Sequence, residues 1–267
     1  MQQFFRRRVG SGRVVSEKIK PRQAATVILL RRAEANGFEV FLTRRPDGMP
    51  FLGGMYCYPG GSVTREDFSA AMIQRCAGLP GEAARRIVGA EFSPREATGF
   101  WVAAIRELFE EVGVLLAVTA SGAPFTINHL EANRLADLHR ALLEKSLTFP
   151  ALFEIQELYC DLASLAYFSH WQTPAQIAMR FDTRFFVAAL PDDQAPLESS
   201  YEVAHSLWLT PEQAMDRHER GELPMIFPTF ASLRTLADFD TLENVLKEYR
   251  SAENGSNPAT TKASQPR

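Results

Sequence analysis

Arg106-Glu107-Leu108-Phe109-Glu110-Glu111-Val112-Gly113-Val114 is the stretch on which the reading of this chain turns. On a helix, Glu107 and Glu111 stand one turn apart on the same face with Glu110 beside them. Like charges at that spacing repel and cost helix stability. One or more Mg2+ or Mn2+ ions would turn the three carboxylates into ligands, because hard cations seek such oxygens. A solvated acidic face is the alternative reading of the same run.

The helix that carries this acid has readable ends. Ser93-Pro94-Arg95-Glu96 joins an N-cap serine, a proline at the first helical position and a glutamate three residues on, a capping box that starts a helix running to Val112. Gly113 is its expected C-terminal stop. The acid therefore falls in the last two turns, where it opposes the helix macrodipole, so function explains it more readily than stability does. Phe100, Trp101, Ala104, Leu108 and Val112 trace an apolar stripe at helical spacing, suited to packing on a sheet.

Residues Ala24–Leu30 and Phe38–Arg45 read as two antiparallel strands joined through Glu34-Ala35-Asn36-Gly37, where Asn-Gly supplies a hairpin turn. The Gly- and Pro-rich segment Pro46–Gly61 reads as a loop that lets backbone approach a ligand. A short helix is expected from Pro80-Gly81-Glu82 to about Gly89. A second capping box at Asn128-His129-Leu130-Glu131 opens a helix to about Ser146, and Pro150–Phe168 reads as a further helix or two. Phe181–Leu190 and Glu202–Leu209 carry strand patterning. Thr210-Pro211-Glu212-Gln213 caps a helix ended by Gly221, and Thr229–Tyr249 closes the domain as a helical region.

The chain has 267 residues, 46% of them hydrophobic, so it can bury a substantial core, and no apolar run approaches the roughly 18 residues of a membrane span. A soluble protein without a membrane partner is expected. A formal net charge of −3 argues against a nucleic-acid partner, which demands a clear basic excess. Cys57, Cys76 and Cys160 lack metal-ligand spacing, and free thiols in a reducing cytoplasm are the simplest account. Residues 1–20, basic through Arg6, Arg7, Arg8, Arg13, Lys18 and Lys20, lack the features of a secretory signal and read as a flexible arm, with an organelle transit peptide as the alternative. Residues 251–267 read as a disordered tail, and the final Gln-Pro-Arg is no peroxisomal address.

Upstream of the acidic helix stands Tyr58-Pro59-Gly60-Gly61, and Glu66 follows Gly60 after five residues. The series Gly60, five residues, Glu66, then Arg106-Glu107-Leu108-x-Glu110-Glu111-x-Gly113-Val114 resembles the signature of the Nudix hydrolases, interrupted in its middle by residues 67–105. A branch of that family, the acyl-coenzyme A diphosphatases, carries an insertion at this point. Its coenzyme A-cleaving members share an upstream pattern, to which Phe41-Leu42-Thr43-Arg44-Arg45-Pro46, Pro50, Gly54 and Tyr58-Pro59-Gly60-Gly61 are similar with the spacing kept. Pro50 stands where that pattern has an arginine, with milder departures at Phe41, Pro46 and Tyr58. An arginine fork is the better phosphate partner, so this departure bears on how phosphate is gripped.

The resemblance implies an α/β fold, the Nudix α/β/α sandwich with a mixed β-sheet, as one domain over residues 21–250 with helical insertions, one within 67–105 and one over 125–170. It implies Mg2+ or Mn2+ held by Glu107, Glu110 and Glu111 with a backbone carbonyl of Gly60 or Gly61. Arg106 would pair with a neighbouring glutamate and fix its rotamer; otherwise it is an i,i+4 partner of Glu110, worth about 0.2 to 0.5 kcal/mol. The general base is Glu107, with Glu198 or Glu202 as alternatives. Glu66 is expected to stabilise the loop beneath the glycines. Arg44 and Arg45 either bind substrate phosphates or form a solvated strand end.

His205 and His170 lack zinc-type spacing and read as surface or core positions. His170-Trp171-Gln172-Thr173-Pro174 and Arg180-Phe181-Asp182-Thr183-Arg184-Phe185-Phe186 resemble stretches of the same branch, with Arg180 and Arg184 either meeting phosphates or pairing with Asp182. The implied reaction is cleavage of coenzyme A or acyl-CoA to 3′,5′-ADP and (acyl-)4′-phosphopantetheine. ADP-ribose or NADH as substrate, and a catalytically silent binding module, are the other readings. The second runs against the intact Arg106, Glu107, Glu110 and Glu111 set. Homodimers are common in the family.

Overall fold

The computed structural model describes residues 20–34, 37–177 and 179–255. The arm through residue 19, Asn36 of the expected hairpin turn and the tail from residue 256 lie outside the described residues. In chain order come β1 (Arg22–Arg32), β2 (Phe38–Arg44), β3 (Tyr56–Cys57), β4 (Gly60–Ser62), α1 (Ala70–Ile73), β5 (Cys76–Ala77) and α2 (Gly81–Val88). Then follow α3 (Pro94–Val112), β6 (Ala117–Thr119), α4 (His129–Leu143), α5 (Phe149–Ile155), β7 (Leu158–Asp161) and β8 (Ala166–Gln172). The last elements are β9 (Phe181–Ala189), β10 (His205–Leu209), α6 (Pro211–Glu219), α7 (Phe227–Leu236) and α8 (Leu242–Gly255).

The main sheet runs β10-β2-β1-β9-β8, with β3 added to β2 and β4 to β1. Its β1 and β9 are parallel and the other pairings antiparallel, so the sheet is mixed as expected. Between Ala24 and Leu30 only Thr26 interrupts the apolar run of β1. Ala25, Val27 and Leu29 face a core shared with α3, while Ile28 and Leu30 face a second core shared with α6, α7 and α8. A strand covered on both sides is largely apolar on both faces. Two helical layers around one sheet give the α/β/α sandwich.

The ends of α3 follow their sequence signals. Ser93 Oγ accepts from Glu96 N and the Glu96 carboxylate accepts from Ser93 N, while Gly113 closes the helix in the left-handed region at φ 75°. The boxes at Asn128/Glu131 and Thr210/Gln213 are formed too.

Three expectations are corrected. The segment over 125–170 is helical only through Ile155, since Leu158–Asp161 and Ala166–Gln172 are strands with alternating burial, a period of two that outweighs the helix-forming composition around Pro150. A small sheet, β5-β7-β6, was not anticipated, because strands of two to four residues are too short to display a period. Finally, α8 continues through Gly255, into the segment read as tail.

Trp101 is fully buried and meets the Phe186 ring at 4.8 Å between centroids, pinning α3 to β9. Trp101→Ala is therefore expected to lower the unfolding free energy by about 3 to 5 kcal/mol. Urea unfolding followed by circular dichroism measures this; a loss below about 1 kcal/mol would contradict the packing described.

Candidate active site

Arg106 is the hub of the site. It lies on the buried side of α3, 8% exposed, where a guanidinium is tolerated only with its donors satisfied. Nε donates to Asp67 Oδ1 (2.7 Å) and Nη2 to Asp67 Oδ2 (3.1 Å), a bidentate pair. Nη2 also donates to the Ser62 carbonyl (3.0 Å), and Nη1 donates to Glu107 Oε1 and Glu110 Oε2, both at 2.9 Å. Burial opposes the charge of Arg106, but Asp67, Glu107 and Glu110 hold its pKa above the ordinary arginine value.

Asp67 is the residue that sequence reasoning missed. The carboxylate beneath the glycines is Asp67, which also accepts from Thr64 N (2.7 Å) and Thr64 Oγ1 (3.0 Å). Glu66, expected in that place, instead accepts from Phe149 N (3.0 Å) at the start of α5. The available signal was a one-residue shift: five residues separate Gly61 from Asp67 as five separate Gly60 from Glu66.

The two glycines are required by close approach. A Cβ on Gly61 would fall 2.5 Å from Glu107 Oε1, and one on Gly60 would fall 2.4 Å from Thr26 Oγ1 and 2.5 Å from the Ala25 carbonyl. β4 pairs with β1 through Thr26–Gly60 and Ala25–Gly61, and the Gly60 backbone acts to lower the Glu111 pKa against the larger effect of burial. The glycine bend and the acidic turns, distant in sequence, are thus in contact.

Electrostatics at this point are one-sided. Burial pushes the Glu107 carboxyl up to about 7, against the pull of Arg106, and burial together with Glu107 and Glu202 pushes Glu111 well above the usual carboxylate range. Glu110 is raised as well, first by burial. Burial and the neighbouring Glu111 push the Cys57 thiol up to about 11.

The other expected site residues divide. Arg45 sits with the carboxylates: its charge acts on Glu111, its Nη2 lies 3.8 Å from Glu202 Oε2, and Nε donates to the Phe51 carbonyl (3.2 Å). Arg44, one residue earlier in an extended chain, points to the opposite face. It donates to Asp47 Oδ1 (2.5 Å). Glu202 reaches the site because its loop is tied to the end of α3. Leu197 N donates to the Val112 carbonyl (2.9 Å), and the Gln194 side chain both accepts from Leu115 N and donates to Leu115 O, each at 2.9 Å. No local pattern in the sequence announces those ties.

Glu198 and His205 instead line a cleft of about 440 Å3 that extends along β10 past Trp208, whose ring carries the Arg31 guanidinium at 4.4 Å. Arg184 and His170 are drawn to Asp182, Arg184 Nη1 donating to Asp182 Oδ1 (2.5 Å), so of the two readings for Arg184 the structure has the pairing. Arg180 Nε donates to the Thr173 carbonyl (3.2 Å).

The donor set suits a hard divalent cation. Carboxylates of Asp67, Glu107, Glu110 and Glu111, with the half-exposed Glu202 at the edge, gather around two guanidiniums, Arg106 and Arg45, a surplus of oxygen and negative charge. Among the described residues no three acidic, histidine or cysteine side chains already converge as a metal cage. Arg106 draws Glu107 and Glu110 onto itself.

A mixed sheet with a glycine bend set against an arginine-centred acidic helix defines a Nudix hydrolase, and 90% of the chain superposes on 98% of the solved Nudix hydrolase from Alicyclobacillus acidocaldarius with a TM-score of 0.69 and 27% identity. Residues 83–236 match the family model described as the NUDT19 Nudix domain, and the chain belongs to that family. It is similar to the acyl-coenzyme A diphosphatases NUDT19 of Gallus gallus (27% identity over 85% of this chain), Homo sapiens (27% over 81%) and Xenopus laevis (24% over 79%). It spans 70%, 65% and 62% of those relatives' lengths. Nudix hydrolases generally need divalent metal ions, and no helix among the described residues is long and apolar enough to cross a membrane.

Asp67→Asn takes the bidentate counter-ion from a buried guanidinium that keeps Glu107 and Glu110, so it is expected to cost about 3 kcal/mol of stability. Glu66→Ala loses the hydrogen bond from Phe149 N and should cost about 1 kcal/mol. Paired denaturation curves decide; equal costs would return the role to Glu66.

Proposed function

We propose that this protein is a divalent-metal-dependent diphosphatase cleaving coenzyme A or acyl-CoA to 3′,5′-ADP and (acyl-)4′-phosphopantetheine. The observation that carries the reading is the contact of Glu107 with Gly61, which joins a buried, arginine-held acidic turn to a backbone bend. The names of the three relatives, all acyl-CoA diphosphatases, support the substrate. The activity is assigned to the domain running from β1 to α8, and the free thiols fit a reducing cytoplasm.

Glu107, Glu110 and Glu111, with the Gly60 carbonyl, would hold Mg2+ or Mn2+, which when bound neutralises the diphosphate oxygens and makes water more acidic. Asp67 and Arg106 fix the rotamers of Glu107 and Glu110. Arg45 is the arginine suited to the substrate diphosphate, since its guanidinium lies on the carboxylate side, whereas Arg44 is committed to Asp47. Glu107 is the general base on this reading: one of its oxygens is tied to Arg106 and the side chain abuts the glycine bend. Glu202, half-exposed on its loop beside Arg45, is the alternative. Pro50, in place of an arginine, keeps a second substrate class open, ADP-ribose or NADH.

Product analysis by mass spectrometry after incubation with CoA, acyl-CoA, ADP-ribose and NADH separates these readings. Release of phosphopantetheine in the presence of Mn2+ is the expected result; turnover of ADP-ribose or NADH alone replaces the substrate, and silence on all four overturns the enzyme. Glu111→Gln should lower kcat by several orders of magnitude with circular dichroism unchanged, and near-normal turnover would remove it from the metal shell. Glu202→Gln should keep at least a tenth of wild-type kcat, whereas a loss like that of Glu107→Gln, with Mn2+ binding kept, would make Glu202 the base.

A further inference from the structure

Outside the site, two cysteines that are far apart in sequence are partners across the small sheet. β5 and β7 run parallel with Cys76 directly opposite Cys160, followed by Ala77 opposite Asp161. Directly paired residues on neighbouring strands lie about 5 Å apart at Cα and project to the same face. That separation falls inside the range a disulfide spans, about 4.4 to 6.8 Å. Cys160 is fully buried with Cys76 as its neighbour on the adjoining strand, and the Cys76 thiol donates to the Met72 carbonyl (3.2 Å). Cys57, the third cysteine, stands elsewhere, beside Glu111 and Thr43 on β3.

We propose that Cys76 and Cys160 form a reversible disulfide under a peroxide or other two-electron thiol oxidant, stapling the insertion within the signature to β7. The partly exposed Cys76 is the thiol that meets the oxidant, and the fully buried Cys160 is the resolving one. In the first step the Cys76 sulfur attacks one peroxide oxygen, the O–O bond breaks, and Cys76 becomes a sulfenic acid as one water leaves. In the second, the Cys160 sulfur displaces the hydroxyl from Cys76 Sγ, the S–S bond forms, and a second water carries away the remaining protons. Two thiols lose two electrons, and peroxide is reduced to two waters. Burial, followed by the Cys76 contact, raises the Cys160 pKa well above the ordinary thiol value, which agrees with its acting second.

Little else has to move. The Met72 carbonyl that loses the Cys76 donor keeps the Arg75 N–H at 2.9 Å, and Cys160 N remains bonded to the Arg75 carbonyl at 2.7 Å. The bond would close a long loop containing α2, α3, α4 and α5 and would lie near Asp67, whose charge is felt at Cys160. A cross-link of that span constrains the unfolded chain strongly.

The experiment treats the full-length folded protein with hydrogen peroxide or diamide, blocks remaining thiols under denaturing conditions, digests without reduction and maps peptides by mass spectrometry. The expected map has one cross-linked peptide joining Cys76 to Cys160, with Cys57 blocked as a free thiol and all three thiols recovered after dithiothreitol. The oxidised protein should unfold about 5 to 10 °C above the reduced one. Cys57→Ser should leave the cross-link in place. A cross-link through Cys57, a disulfide between two chains, sulfinic acid at Cys76 without a cross-link, or unreacted Cys76 and Cys160 would each overturn the proposal. The wild-type map suffices if Cys76→Ser or Cys160→Ser fails to fold.

Discussion

The buried bidentate pair of Arg106 with Asp67 is the constraint on which the rest of the site depends. Taking a guanidinium out of water is costly, and the arrangement offsets this by spending its donors on Asp67, Glu107, Glu110 and the Ser62 carbonyl. The bonds to Ser62 and Asp67 tie other parts of the chain to α3. Ser62 closes the glycine bend, Asp67 begins the insertion, and the two glutamates belong to the acidic turn itself. One side chain therefore gathers a site from pieces separated by the 67–105 insertion, and removing its counter-ion would loosen all of them together.

That knot also resolves the apparent paradox of acid at a helix C-terminus. Glu107, Glu110 and Glu111 oppose the macrodipole and repel one another. They remain near each other because Arg106 and Arg45 offset part of the repulsion and because the Gly60–Gly61 bend presses backbone against them. Burial raises all three carboxyls, so added positive charge beside them would favour their ionised form. The loop after β9 completes the enclosure: Gln194 and Leu197 satisfy backbone groups just past the end of α3, and Glu202 follows from that anchorage.

How much of this was legible in the sequence depends on whether the signal was local. The boundaries of α3 were, since a capping box and a left-handed glycine are chemical statements about single residues. β1 and β2 were, through their apolar runs, and so was the place of Glu107, Glu110 and Glu111 in the last turns of α3. β7 and β8 were not, because their short alternation is interrupted by a turn at Leu162–Ser164 and sits amid helix-forming residues. Asp67 cannot be told from Glu66 by spacing, because two successive glycines and two successive acids satisfy the same interval, and only the direction of each side chain decides between them. Arg44 and Arg45 were indistinguishable for a related reason: adjacent residues of an extended chain face opposite ways. Glu202 was placed by contacts between distant segments, which no local pattern records.

The claim that the Arg106-centred knot prepares a divalent cation site is tested most directly by anomalous diffraction from crystals of this protein soaked in Mn2+. The account predicts anomalous peaks bounded by Glu107, Glu110, Glu111 and the Gly60–Gly61 bend. Crystals with no peak there at saturating Mn2+, or with peaks only at other carboxylates, would contradict it.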